Sequence, residues 1–439
     1  MPFGRCSIGR RALFGFAAAL ALGAASVQAT PYLIVDADSD QVLMENEATA
    51  PWYPASLTKL VTVYVVLDAV RSGKLTLDTP LVMSPRAARM PPSKMGFRPG
   101  TEVTLDNALK MLMVKSPNDV AVMVAEGVSG SVEAFADDMN AAAQRLGMHE
   151  SHFVNPNGLH DPAHVSSARD MAIVARALLR EFPDHADLFS IGALQLGRQY
   201  IPNHNGLLGR YPGADGMKTG FTCPAGFNVV ASANHSGRRL IVVVLGAPSA
   251  RSRNQEAADL FDRGFAIGGG NGSLESLPSG SGAPDPHANV CLHRNAAALA
   301  AAAEDDSIAQ QAEAAAGSAG RSGVIPTPLV ALFAPVAVHT KLTYQRIRFD
   351  PVPVYIGPAP GWKGPALGAR PTTTDTAAAP GGANAATVAN TEEGDASASA
   401  QPSSRSKLKL SRRWEKRMAA HKPAKGAAEK AEKKDVSTD

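Results

Sequence analysis

Cysteine is scarce in this 439-residue chain: Cys6, Cys223 and Cys291, with no Cys-x-x-Cys pair. That excludes a zinc ribbon and a fold built on disulfides. No His/Asp/Glu cluster has metal-ligand spacing and no Gly-rich loop suits a phosphate, so neither metal nor cofactor is expected. The body also lacks basic excess. Residues 401–439 hold 12 Lys/Arg against 5 Asp/Glu, and residues 1–29 hold three Arg and no acid, so the net +3 leaves −7 for residues 30–400. The basic pI belongs to the two ends, and no nucleic-acid partner is implied.

The first 29 residues read as an export signal. Arg5, Arg10 and Arg11 precede an apolar run, Ala12 to Ala25, and Val27-Gln28-Ala29 has the small-x-small form of a cleavage site. The run of 14 residues is short of the ~20 that span a bilayer. Arg10-Arg11 also resembles a twin-arginine signal, so the export route stays open. The expected location is periplasmic or otherwise extracytoplasmic. Cys6 leaves with the leader, and Cys223 reads as a small apolar residue packed beside a strand, with a reactive thiol or a bridge to Cys291 as the alternatives.

The length allows two or three domains. Tyr32 to Val35 and Gln41 to Met44 flank a polar turn and read as a hairpin. Ser56 to Val70 is apolar around most of a helix surface, which predicts a helix buried between layers. Helices are also expected over 105–114, 117–128, 131–146 and about 168–180, and strands over 217–222, 226–233 and 239–246. The continuous run Leu240 to Leu245 suits a strand covered on both faces. Strands at both ends with helices between them predict an α+β fold whose sheet pairs its first and last segments. This domain would occupy 30–265. Residues 268–285 then read as a flexible linker within a low-complexity segment, 266–324. Residues 325–368 read as a small ordered patch and 369–439 as a disordered basic tail.

Three short motifs carry the chemistry. Ser56-Leu-Thr-Lys59 opens the buried helix, Ser116-Pro-Asn118 falls in a break between helices, and Lys218-Thr219-Gly220 lies on a strand. A serine hydroxyl needs an adjacent base to act as a nucleophile. Positions i and i+3 share a helix face, which puts the Lys59 amine near Ser56. A free lysine is a cation at neutral pH, and burial beside a second cation, Lys218, favours its neutral form. Ser116 is a candidate proton relay, and Asn118 a candidate to hold Lys59 and a substrate amide. The backbone N–H groups of Ser56 and Phe221 are candidates for an oxyanion hole.

The set Ser-x-x-Lys, Ser-x-Asn and Lys-Thr-Gly resembles that of penicillin-binding proteins and serine β-lactamases. The longer stretches Tyr53-Pro-Ala-Ser-Leu-Thr-Lys59, Ser116-Pro-Asn-Asp119, Asn157-Gly-Leu159, Ser166 to Met171, Asn205 to Leu208 and Asp215 to Gly220 are similar to the low-molecular-mass D-alanyl-D-alanine carboxypeptidases. The resemblance covers about 30–265. It implies an antiparallel sheet flanked by helices, Ser56 as the acylated nucleophile, Lys59 as its base, and Lys218, Thr219 and Gly220 facing a substrate carboxylate. Arg239 is a further candidate for that carboxylate, on the reading that it starts the strand beside Lys218. The chain departs from some relatives at His204, where they carry Arg, and at Phe221, where they carry His.

The implied activity is removal of the terminal D-Ala from peptidoglycan stem peptides, with β-lactams as covalent inhibitors. A β-lactamase, a D,D-endopeptidase and a catalytically silent wall-binding protein are the alternatives. Glu126, Glu133 and Glu150 lie outside any Glu-x-x-Leu-Asn setting, which disfavours a class A β-lactamase. Residues 405–418 place Leu410, Trp414 and Met418 one helical turn apart among basic residues. That tail is a candidate for contact with an anionic membrane surface or wall polymer.

Overall fold

A computed structural model describes residues 30–284, 289–291, 342 and 347–368. The leader with Cys6, most of the low-complexity stretch and the basic tail lie outside the described residues.

The central sheet has five antiparallel strands, which lie in the order Val42–Asn46, Tyr32–Asp36, Arg238–Ala247, Gly226–His235 and Ala214–Thr222. The polar turn after Asp36 folds β1 (Tyr32–Asp36) back on β2 (Val42–Asn46), with Asp36 Oδ1 accepting from the N–H groups of Asp38 and Ser39. The other three strands come some 170 residues later: β7 (Ala214–Thr222), β8 (Gly226–His235) and β9 (Arg238–Ala247). As the alternating apolar ends predict, β1 pairs with β9, Ile34 facing Val242 and Leu33 facing Val243.

The sheet separates two apolar layers, because successive side chains on a strand point to opposite faces. Leu33, Val35, Ile241, Val243 and Leu245 face the helices that lie between β2 and β7 in the chain, while Ile34, Val242 and Val244 pack with Ala257, Leu260 and Phe261 of α7 (Ala250–Ala266). The unbroken apolar run of β9 is therefore covered on both sides.

The helical lobe begins with a 3-10 turn, Ala55–Leu57, that leads into α1 (Thr58–Arg71). Every residue of α1 from Thr58 to Leu67 is buried, so this helix is the axis of the lobe. Around it stand α3 (Leu105–Val114), α4 (Asn118–Ser129), α5 (Val132–Leu146) and α6 (Ala168–Glu181). Thr104, Ser131 and Ser167 cap α3, α5 and α6 by accepting a first-turn N–H, as their side chains favour. The sequence pattern did not mark the shorter elements: β3 (Pro80–Val82), α2 (Pro85–Ala88), β4 (Glu102–Thr104), and the hairpin β5 (Ala193–Leu196) with β6 (Gln199–Pro202).

Beyond α7 the chain stays with the domain. The stretch expected to be a free linker returns to it: Leu274 is buried in the helical core and the Gly280 N–H donates to Glu150 Oε1 at 3.2 Å. Further on, β10 (Val352–Val354) pairs parallel with β5, Val354 enters the core, and Leu367 exchanges backbone hydrogen bonds with Pro80 and Val82.

The first reading of Cys223 is overturned as well. Cys223 is not a lone packed thiol but is joined to Cys291, with Cα atoms 5.3 Å apart across 68 residues of sequence. On chain entropy alone, closing a loop of that length is worth about 4 kcal/mol.

Candidate active site

Ser56 sits where three elements meet: the 3-10 turn, the N-terminus of α1 and the edge strand β7. Its hydroxyl caps neither helix; it lies instead within hydrogen-bond distance of Lys59 Nζ, at 3.0 Å. The turn is pinned from behind, since Asn228 Nδ2 on β8 donates to the carbonyls of Tyr53 and Pro54 at 2.9 and 3.2 Å. Ala55, just before the serine, has φ 48°, a left-handed conformation that non-glycine residues adopt at a cost.

Lys59 is fully buried, whereas Ser56 is partly exposed. Its Nζ meets three partners: Ser56 Oγ, Asn118 Oδ1 at 3.0 Å and the Asn157 carbonyl at 2.7 Å. Burial, and then the charge of Lys218, hold its pKa well below the usual lysine value. A neutral amine has two protons and one lone pair. The two carbonyl oxygens can only accept, so they take the two N–H groups. The lone pair is left for Ser56, the one partner with a proton to give. The geometry thus suits proton transfer from serine to lysine.

The Asn157 carbonyl is brought here by a tight turn. Asn155 Oδ1 accepts from the Gly158 N–H at 2.7 Å, and Thr62 on α1 donates to the Pro156 carbonyl at 2.7 Å. Gly158 has φ 80°, and a Cβ there would fall 1.8 Å from the Ala55 oxygen. Only glycine fits. His164 braces the same region. Its Nδ1 accepts from the Val154 N–H, so its Nε2 proton goes to Thr58 Oγ1 at 2.8 Å, and burial holds its pKa down at about 3.

The second motif lies in the break between α3 and α4. Asn118 is buried, its amide donating to the carbonyls of Pro91 and Pro92. Asp119 fixes the same loop by accepting from the N–H groups of Met95 and Gly96. Ser116 has φ 61°, and its buried Oγ has no hydrogen-bond partner among the described residues.

The strand motif runs past the turn. The register Lys218–Val230–Val243 puts Lys218 on the lobe-facing side of the sheet. A Cβ on Gly220 would lie 3.0 Å from the Ser56 nitrogen, so β7 passes directly against the serine. Thr219 and Phe221 fall on the alternate side, where Phe221 stacks on Phe227. Lys218 is buried, donates to the Thr219 carbonyl at 2.8 Å, and has its pKa lowered to about 7 by burial and by the charge of Arg253.

Arg239 is not brought to the site. Its strand β9 is separated from β7 by β8, and its guanidinium is held by Asp215 at 2.8 and 3.1 Å. Along β9 it lies four residues from Val243, roughly 13 Å from the level of Lys218. The three glutamates weighed for deacylation are engaged elsewhere: Glu133 with Arg86, Glu150 with Arg169, and Glu126 with Ser84. Sequence reasoning missed the Asn157 carbonyl, Asn228 and His164. Of these, only Asn157 lay in a motif already singled out.

The family described as D-alanyl-D-alanine carboxypeptidase, peptidase S11, matches residues 18–249. A D-alanyl-D-alanine carboxypeptidase of Haemophilus influenzae is 38% identical over 246 residues, 55% of this chain and 62% of that protein. One from Mycobacterium tuberculosis is 32% identical over 54% of this chain and 83% of its own length. Among solved structures, penicillin binding protein 5 from Haemophilus influenzae superposes with a TM-score of 0.52 at 37% identity, covering 54% of this chain and 70% of that one. Penicillin binding protein 6B from Escherichia coli gives 0.52 at 35% identity, over 54% and 76%. The chain thus spans about three fifths of the first curated relatives it matches.

Proposed function

The chain belongs to the D-alanyl-D-alanine carboxypeptidase family, and on that premise we propose that it removes the terminal D-Ala from peptidoglycan stem peptides through an acyl-enzyme on Ser56. The observation that carries this reading is the Lys59 amine, buried without a carboxylate partner and hydrogen-bonded to Ser56.

The Ser56 oxygen attacks the carbonyl carbon of the penultimate D-Ala, and its proton passes to Lys59 Nζ. The carbonyl oxygen becomes an oxyanion between the N–H groups of Ser56 and Phe221. The C–N bond then breaks, and the departing D-Ala amine takes the proton from Lys59 by way of Ser116, whose hydroxyl has no hydrogen-bond partner among the described residues. Lys218, with the β7 backbone at Thr219 and Gly220, receives the terminal carboxylate. Water activated by Lys59 cleaves the ester and frees Ser56. A β-lactam is attacked in the same way, but its ring nitrogen stays tethered after the bond breaks, so the ester persists. Neither a metal nor a cofactor has a step in this scheme.

We place the enzyme outside the cytoplasm, in cell-wall maturation. The leader and the Cys223–Cys291 bridge both favour an oxidising compartment. Among the described residues no helix is long and apolar enough to cross a membrane. Contact of the basic tail with an anionic membrane or wall polymer belongs to the same proposal. The deciding experiment is labelling with a fluorescent penicillin, with intact-mass analysis and assay of D-Ala release from a stem pentapeptide. Wild type gains one adduct on the Ser56 peptide, and Ser56→Ala gains none and releases no D-Ala. Folded wild type without an adduct, or with one elsewhere, defeats the reading.

A further inference from the structure

Cys223 is the first residue beyond β7 and stands five positions after Lys218. The segment bonded to it lies along its backbone as well: the Val290 N–H donates to the Cys223 carbonyl at 3.1 Å. Asn289 Oδ1 accepts from the Cys291 N–H at 3.0 Å, shaping the three residues into a turn of their own. The support beneath is firm. The Ala225 N–H donates to the Thr222 carbonyl at 3.0 Å, and the Trp52 indole donates to the Ala225 carbonyl at 2.9 Å. Asn289, Val290 and Cys291 are each partly exposed, so they present a surface as well as an anchor.

The direction of the substrate follows from the reaction proposed above, on which this inference rests. The terminal carboxylate lies at 218–220 and the scissile carbonyl at the Phe221 N–H, so the acyl part of the peptide continues from 221 toward 223. From Phe221 to Cys223, the first residue of the turn, the chain advances at most roughly 7 Å, about two substrate residues. Cys223 and its partner segment therefore flank the stem residues just upstream of the D-Ala-D-Ala unit. We propose that the Cys223–Cys291 bridge holds residues 289–291 as a wall of the groove on the acyl-donor side. The two cysteines are positioning residues for the upstream peptide, and Val290 is the side chain that meets it.

The test compares two substrates: a stem pentapeptide, and N-acetyl-Gly-D-Ala-D-Ala, which lacks an upstream side chain. The proteins are oxidised wild type, reduced wild type, reoxidised wild type and a Cys223→Ser/Cys291→Ser double variant. Opening the bridge lowers the pentapeptide-to-tripeptide ratio of kcat/KM by about tenfold, the scale of a lost side-chain contact in a binding pocket. The loss appears in KM, and reoxidation restores it in wild type. The double variant does not respond to reductant. A fall by the same factor on both substrates marks a purely structural bridge and overturns the proposal, as does a ratio that never changes. If the double variant does not fold, the reduced and reoxidised wild type decide alone. If oxidised wild type acquires no Ser56 adduct and cleaves neither substrate, the carboxypeptidase reading fails first and this inference falls with it.

Discussion

The start and the middle of strand β7 hold cations in opposite ways. Near its start, Asp215 grips Arg239 through two hydrogen bonds and takes a third from Ser232 at 2.6 Å. That pair is partly open to solvent, with 32% of the Arg239 side chain exposed. Three residues on, Lys218 is buried and donates to a backbone carbonyl, and among the described residues neither it nor Lys59 close by is hydrogen-bonded to a carboxylate. Burial alone does not explain the contrast. Arg169 is equally buried yet lies between Glu150 and Asp170 at 2.8 and 2.9 Å. Where the fold needs only to be held, a buried cation is neutralised. Where two lysines are left unpaired, their pKa values fall and one of them becomes a base.

That contrast is broken most severely by Lys59→Arg. A guanidinium does not deprotonate, so the acylation rate by penicillin should fall at least ~10³-fold in a protein that still folds by circular dichroism. Undiminished acylation would remove Lys59 as the base. Next comes Gly158→Ala, which drives a methyl group into the Ala55 carbonyl and displaces both the Asn157 oxygen and the serine turn. A stability loss of about 2–3 kcal/mol in urea unfolding is expected, with slower acylation. Unchanged stability and rate would mean that the turn is not held as tightly as its contacts indicate.

The pH profile sharpens the comparison. Deprotonation of Lys59 raises kcat/KM as pH rises, with a limb well below the usual lysine range. Lys218 loses its charge, and its hold on the substrate carboxylate, as pH passes about 7, so the peptide profile turns down there. Each limb changes the rate by up to about tenfold per pH unit. Lys218→Arg keeps the charge and should abolish the falling limb; a limb that stays belongs to another group. The smallest effect is reserved for Arg239→Ala. A partly exposed ion pair contributes at most about 1 kcal/mol to stability, and kcat/KM should match wild type. A marked rise in KM would restore Arg239 to the site.

The helices and long strands were legible because their apolar residues repeat at the spacing of the element, as in α1 and β9. The three motifs were legible because each carries its chemistry in side chains. The Asn157 carbonyl was not, since a backbone acceptor can belong to any residue and only the fold aims it. Arg239 was misread for a related reason: chain order does not reveal that β8 lies between its strand and β7. The Cys223–Cys291 pairing escaped because one partner lies in a Gly-, Ser- and Ala-rich region with no pattern to place it.

The pairing of β1 with β9 bears on when this protein can fold. Ile34 and Val242 are neighbours in the sheet but about two hundred residues apart in the chain. During synthesis the first hairpin therefore waits with one edge unfilled until almost the whole domain exists. Contacts at such separation form slowly, because the intervening chain must be gathered before any of them is rewarded. Because the sheet closes only on its last strand, a chain that stops short of Arg238 leaves β1 with an open edge ready to pair with another copy.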